Sequence, residues 1–397
     1  MGIGFDTAVL LVGAVLVVAA GLSGWLHGTV LSISVLAVAT GVALSLADVL
    51  TVHPGDTGLL EVVELALVLT LFTDGLVAER ELVQQQWRKP ARALVVAMPI
   101  TGVLFALLAR ALFDLSWAEA FLLGAVLSPT DPVVTSTVVT AKRVPAVIRH
   151  TLNLESGLND GLALPFVLVL IAVATAGADA DSEVLKQVGE TLAGGAIGLV
   201  LAFAGGKALD HLPGGRITYQ YEGVYGLGLA LVAFGFAQVT YGNGLIAAFV
   251  AGVALGVAER ELPDAFSLFN ENVSAVLQVV TFVLFGALVV TTGYHFGVPE
   301  LIAFIAFALL VARPAAVFAA FVGSDMPRPQ KTFVAWFGPK GVASILFALF
   351  VLESNASGRG HIFEIASFVI LASIVAHGLT DTVGARWVER RVGGRVS

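Results

Sequence analysis

The sequence predicts an all-α polytopic membrane protein: about thirteen transmembrane helices, inverted repeats, and two helices broken where they cross. Three observations carry that prediction. The first is composition, with 57% hydrophobic and only 13% charged residues among 397 and a mean hydropathy of +0.93. Soluble domains average about 25% charged and about 45–50% apolar residues. The second is an unbroken succession of apolar runs from Ala8 to Trp387. The third is a pair of proline/glycine interruptions in the middle of two of those runs.

Composition also excludes function classes. A net charge of −8 provides no basic patch for nucleic acid. Zero cysteines remove disulfides, thiolate metal sites and cysteine nucleophiles. The first run, Ala8–Leu26, has no basic segment before it and does not read as a signal peptide. Residues 1–390 are therefore expected to form a single transmembrane domain, with 391–397 a short cytoplasmic tail.

Runs of about 20 apolar residues suffice to cross a hydrocarbon core of about 30 Å. They fall near 8–25, 29–49, 58–78, 91–113, 117–140, 152–176, 188–209, 222–240, 243–258, 272–292, 298–322, 331–352 and 362–384. Helices are expected because each span must satisfy its own backbone groups. Basic residues orient the chain. Arg80, Arg88, Lys89 and Arg92 follow the third run, and Lys142, Arg143 and Arg149 follow the fifth. Lys207, Arg216, Arg260, Arg328, Lys331 and the arginines of the tail share their side, whereas the opposite loops hold Lys186 and Arg359. The C-terminus is thus expected in the cytoplasm and the N-terminus outside, with the protein in the plasma (inner) membrane of a prokaryote.

Charges inside a bilayer are costly and mark sites. The deep acids are Asp74, Asp131, Glu155 and Asp160, and the deep bases are Arg313 and Lys340. Arg110 lies near a helix end and is expected to snorkel. Asp74 fits a solvated helix end and a pathway residue equally well. Ser128-Pro129-Thr130-Asp131-Pro132 places two prolines in the fifth span, which removes two amide donors and disfavours helix at Ser128 and Asp131. A broken helix is tolerated only when its backbone lines a cavity or packs inside protein.

In Glu155-Ser156-Gly157-Leu158-Asn159-Asp160, residues four apart share a helix face, pairing Glu155 with Asn159 and Ser156 with Asp160. From a start near Thr151, Asp160 lies roughly 13 Å deep at about 1.5 Å per residue, close to the midplane. Phe337-Gly338-Pro339-Lys340-Gly341 interrupts the twelfth span, seven spans after the first interruption and therefore in the opposite orientation. Oppositely oriented interrupted helices point to an inverted-repeat transporter with its site at the crossing. Lys340 is expected to face the negative ends of half-helices there. Spans 91–176 and 298–384 would be the two related halves of a core.

At these residues the chain resembles the monovalent cation:proton antiporter-1 family, the NhaP- and NHE-like sodium/proton exchangers. The resemblance covers nearly the whole chain. It implies an NhaA/NhaP-like fold and a homodimer, with a core moving against a dimerisation bundle at about 8–78 and 222–292 and a linker helix at about 188–209. It implies that Asp160 binds the cation and exchanges the proton, with Asp131, Ser156 and Thr130 completing the Na+ (or K+ or Li+) site. Glu155 is implied beside them as partner of a core arginine, for which Arg313 is the candidate. Asn159 stands where electrogenic relatives carry a second aspartate. Many members have arginine where this chain has Lys340, and lysine lacks arginine's planar fork.

The expected activity is one-for-one, electroneutral exchange of Na+ for H+ by competition at Asp160, in the service of pH homeostasis. K+/H+ exchange or sodium-coupled symport of an organic anion are the alternatives. A channel is disfavoured by the lack of a ring of ligands, and an enzyme by the scatter of the seven histidines. His377, inside the last span, reads as a packing residue. No cofactor is expected beyond the transported ions, and the partners are the cation, the proton, the bilayer and a second copy of the chain.

Overall fold

The computed structural model describes residues 5–26, 32–82, 87–131, 144–176, 180–211, 218–258, 264–293 and 295–392. Regular structure among them is entirely helical. In chain order the helices are α1 (Phe5–Leu26), α2 (Ile33–Leu46), α3 (Thr57–Leu82), α4 (Arg88–Phe113), α5 (Trp117–Leu127), α6 (Ala146–Ala176) and α7 (Ala180–Asp210). They continue as α8 (Tyr219–Gln238), α9 (Gly244–Ala258), α10 (Asp264–Thr291), α11 (Val298–Ala320), α12 (Arg328–Trp336), α13 (Val342–Glu353) and α14 (Arg359–Val392).

Each apolar run coincides with helix, but two of them are not single helices. The helix of the fifth ends at Leu127, residues 128–131 continue without helix, and the run from residue 132 onward lies outside the described residues. The twelfth is split into α12 and α13 around residues 337–341. Among the described residues, six helices (α4, α6, α7, α10, α11 and α14) are long and apolar enough to cross a bilayer. Several helices start or stop a turn or more beyond their apolar runs. Helix α7 begins at Ala180 because Asp181 and Glu183 in its first turn complement the helix dipole.

Local sequence explains the ends that frame the site. Ser116 and Glu119 close a reciprocal capping box that starts α5. Helices α4 and α11 each contain one π-turn, Ala93–Ala97 and Ala308–Ala312, which pass into Pro99 and Pro314. A proline without an amide proton loosens the turn before it. Arg110 behaves as a helix-end residue: its Nη1 donates to the Leu115 carbonyl at 2.5 Å and to Asp114 at 3.3 Å.

Helices surrounded by lipid gain little from apolar burial alone, so close backbone approach matters. Helices α2 and α10 meet at Gly41 and Gly286, where a Cβ on either would collide with the other backbone. Gly75 and Gly252 do the same for α3 and α9, and Gly194 for α7 against the α9 entrance at Asn243. Helices α2, α3, α8, α9 and α10 thus pack on one another, while α4, α5, α6 and α11–α14 form a second set. The two sets touch where α3 crosses α6 and α13.

Candidate functional site

The two interruptions meet in the middle of the second set. Helix α5 ends at Leu127 and leaves carbonyls without intrahelical partners. Lys340 Nζ donates to two carbonyls beyond that end, Pro129 O at 3.0 Å and Ser128 O at 3.4 Å. Across the crossing, α13 begins at Val342 with amides that need acceptors, and Asp131 Oδ2 accepts Val342 N–H at 3.1 Å. The backbones are joined directly: Asp131 N donates to Pro339 O at 2.8 Å. A cation at a helix C-terminus and an anion at a helix N-terminus both oppose the local dipole favourably. Gly341 is required by this geometry, because a Cβ there would overlap the Asp131 carboxylate.

Helix α6 supplies the next layer. Ser156 Oγ donates to Thr130 O at 2.6 Å. Asn159 Nδ2 donates to the same carbonyl at 3.0 Å and to Thr130 Oγ1 at 2.8 Å. One member of each i, i+4 pair read from sequence, Ser156 and Asn159, therefore meets the same residue of the break. Asp160 is 3% exposed, and its Oδ1 is buried without a hydrogen-bond partner. Its charged neighbours are Asp131, Asp74 and Lys340. An unpaired carboxylate oxygen in such surroundings is costly unless a proton or cation meets it.

Glu155, next to Ser156 on α6, has a partner of its own. Both of its oxygens face Arg313, at 2.8 Å (Nη1 to Oε1) and 3.1 Å (Nη2 to Oε2), in a buried bidentate pair. Arg313 Nη2 also donates to Val334 O and Phe337 O, each at 3.3 Å. It thereby holds carbonyls at and just past the end of α12, as Lys340 holds those just past α5. A Cβ on Gly338 would overlap the guanidinium, which accounts for the first glycine of the motif.

Asp74 is half-buried on α3 and is not a free helix end. A Cβ at Gly157 would stand 3.4 Å from Asp74 Cβ, an ordinary contact, so Asp74 of α3 lies against α6 one turn before Asp160. Asp74 also lines a cavity of about 310 Å³ with Thr70, Thr73, Glu271, Ser274 and Gln278. Gln278 Nε2 donates to Thr70 Oγ1 at 3.1 Å. Ser274 and Gln278 of α10 carried no sequence signal, because each stands between apolar neighbours. His377, read from sequence as a packing residue, holds polar partners on both ring nitrogens. Ser373 lies one turn earlier on α14, at i, i+4 spacing from His377.

Two helix interruptions that cross and cap each other, with a buried carboxylate beside the crossing, are the arrangement found in secondary-transporter folds. The sequence profile described as sodium/hydrogen exchanger, transmembrane, matches residues 10–384. The chain belongs to the sodium/hydrogen exchanger family. It is 23% identical over 337 residues to the K(+)/H(+) antiporter NhaP of Alkalimonas amylolytica, covering 83% of this chain and 57% of that one. It is 27% identical over 371 residues to Na(+)/H(+) antiporter 2 of Zygosaccharomyces rouxii, covering 83% of this chain and 45% of the yeast protein. The chain thus spans about half the length of the curated relatives it matches. The fold is that of the sodium proton antiporter MjNhaP1 from Methanocaldococcus jannaschii, with a TM-score of 0.78 at 20% identity over 98% of this chain and 99% of that one.

Proposed function

We propose that this chain exchanges a monovalent cation for a proton, one for one, by competition at Asp160. The observation that carries the reading is the Asp160 carboxylate, buried, with Oδ1 lacking any hydrogen-bond partner, beside Thr130, Ser156 and the helix crossing. Hydroxyl, carbonyl and carboxylate oxygens are the donors hard monovalent cations take. Asp160 would carry the cation or the proton, with Asp131, Ser156 and the Thr130 carbonyl as further ligands. Asn159 would hold Thr130 in place, Asp74 would lie on the approach, and the Glu155–Arg313 pair and Lys340 would brace the broken helices. Both loaded forms are close to neutral, whereas the empty anion is strongly disfavoured from crossing.

The wider arrangement belongs to the same proposal. Residues 91–176 and 298–384 would move as a core against a dimerisation bundle at 8–78 and 222–292, with 188–209 as the linker. The active form would be a homodimer in a prokaryotic plasma membrane, crossing it about thirteen times, N-terminus outside and C-terminus inside. The asymmetry of loop lysines and arginines supports that orientation.

Na+ is the first candidate, and K+ is the second reading because NhaP and NhaP2 relatives are named K(+)/H(+) antiporters. The test is proton flux in liposomes holding the purified protein, on addition of Na+, K+ or Li+ in turn. The lowest half-saturating concentration identifies the ion. Asp160→Asn is expected to abolish the flux, and cation-driven flux surviving in that variant overturns the assignment.

A further inference from the structure

The open end of α12 needs more donors than Arg313 supplies. At and just past that end, Arg313 reaches Val334 O and Phe337 O, and Gly338 N–H donates to Trp336 O at 3.0 Å. Trp336 O faces His377 Nε2 at 2.9 Å. A carbonyl only accepts, so in the tautomer with its proton on Nε2 the ring donates to Trp336 O. His377 Nδ1 lies 3.1 Å from Ser373 Oγ and 2.8 Å from Ser373 O on its own helix. Ser373 Oγ in turn accepts Lys340 N–H at 2.9 Å, an amide the break leaves without a helical partner. One turn of α14 therefore grips both sides of the interruption: His377 the carbonyl before it, Ser373 the amide within it. Both side chains are buried, at 0% and 2% exposure. Trp336 is tied to the same helix through Nε1, which donates to Thr380 Oγ1 at 3.0 Å.

We propose that Ser373 and His377 are positioning residues that fix the backbone of residues 336–340 so that Pro339 and Lys340 hold Thr130 and Asp131 at the cation site. The chain of contacts is short. Lys340 N is held by Ser373, the adjacent Pro339 carbonyl accepts Asp131 N–H, and Lys340 Nζ reaches the carbonyls of Ser128 and Pro129. Thr130 lies between those anchored points. Release of the α14 grip frees the 336–340 backbone and, through it, the ligands on the other broken helix. The consequence for cation affinity rests on the exchange reading above; the grip itself does not.

Two measurements separate these claims. Hydrogen–deuterium exchange of the purified protein reads the grip directly. Ser373→Ala and His377→Phe are expected to speed exchange in peptides covering residues 336–341 by about tenfold without change in α2 or α9. His377→Gln, whose amide can donate to Trp336 O, should restore most of the protection. Unchanged exchange at 336–341 in both Ser373→Ala and His377→Phe overturns the proposal.

In liposomes, the same two variants are expected to raise the half-saturating cation concentration about three- to tenfold at an unchanged amount of folded protein, with Gln again near wild type. Faster exchange at the break with unaltered half-saturation overturns the positioning role and leaves a structural one. Wild-type protein that drives no cation-dependent proton flux defeats the exchange reading instead, while hydrogen exchange still decides the grip.

Discussion

Asp131 and Lys340 cap each other's broken helices. The Asp131 carboxylate accepts the first amide of α13, and the Lys340 ammonium donates to carbonyls just beyond the end of α5. Each charge sits on one interruption and satisfies the other, so the pair staples the crossing without a direct ion pair being needed. Replacing Lys340 by methionine leaves two buried carbonyls without their donor. It is expected to lower unfolding stability in detergent by about 1–3 kcal/mol. Lys340→Arg keeps a charged donor there and should cost less than methionine does, as read from the same denaturation curves.

The Glu155–Arg313 pair is expected to behave as one unit. Arg313→Met leaves a buried carboxylate without its counter-charge, at a cost of about 3–5 kcal/mol. It also strips two carbonyls of α12 of their donor. Glu155→Leu combined with Arg313→Met should cost clearly less than the sum of the single changes. A double-mutant cycle on thermal unfolding measures this, and strict additivity would contradict the pairing.

Asn159 uses one amide group to hold both the carbonyl and the hydroxyl of Thr130. Asn159→Ala is expected to loosen Thr130 and raise the half-saturating cation concentration about tenfold, since one or two buried hydrogen bonds are lost. The direction of transport coupling should be unaffected. An unchanged half-saturation would remove Asn159 from the site.

Gly341 admits no side chain because the Asp131 carboxylate occupies the space a Cβ would fill. Gly341→Ala is therefore expected to displace Asp131 from the α13 amide and to abolish exchange in liposomes. Gly102→Ala is the control: its Cβ would stand 3.4 Å from the Gly124 carbonyl, an ordinary contact that leaves exchange nearly intact.

Competition at a single carboxylate has a signature in pH. Where the site is mostly protonated, each proton displaced must be matched by one cation. The half-saturating cation concentration should then fall about tenfold per unit rise in pH, and level off once the site is deprotonated. Flux titrations at several pH values test the slope. A pH-independent half-saturation would rule out competition, and a transport equilibrium that moves with imposed membrane voltage would rule out one-for-one exchange.

Much of the site was legible before the fold because charge is scarce inside a membrane helix. Asp131, Asp160, Arg313 and Lys340 stand out against their apolar surroundings, and proline and glycine mark both breaks by removing donors and side chains. The Ser156/Asp160 and Glu155/Asn159 spacings located the face of α6. Uncharged partners were not legible. Ser373, Gln278, Ser274 and Thr70 look like the serines, threonines and glutamines that any helix tolerates, and only contact with a distant segment gives them meaning.

The amino-acid sequence by itself determined the membrane-spanning class, the two interruptions and the handful of charges that had to be near them, because each follows from local hydrogen bonding and desolvation cost. Tertiary structure alone decided who meets whom. Lys340 reaches the carbonyls of α5, Glu155 is taken by Arg313, Asn159 serves Thr130, and His377 grips α12. Those pairings join residues far apart in sequence, from 29 positions between Asn159 and Thr130 to 212 between Lys340 and Ser128. No periodicity along the chain encodes such distances. They are settled by which half-helix ends lie exposed in a low-dielectric interior and by which donors and acceptors the surrounding helices can bring to them.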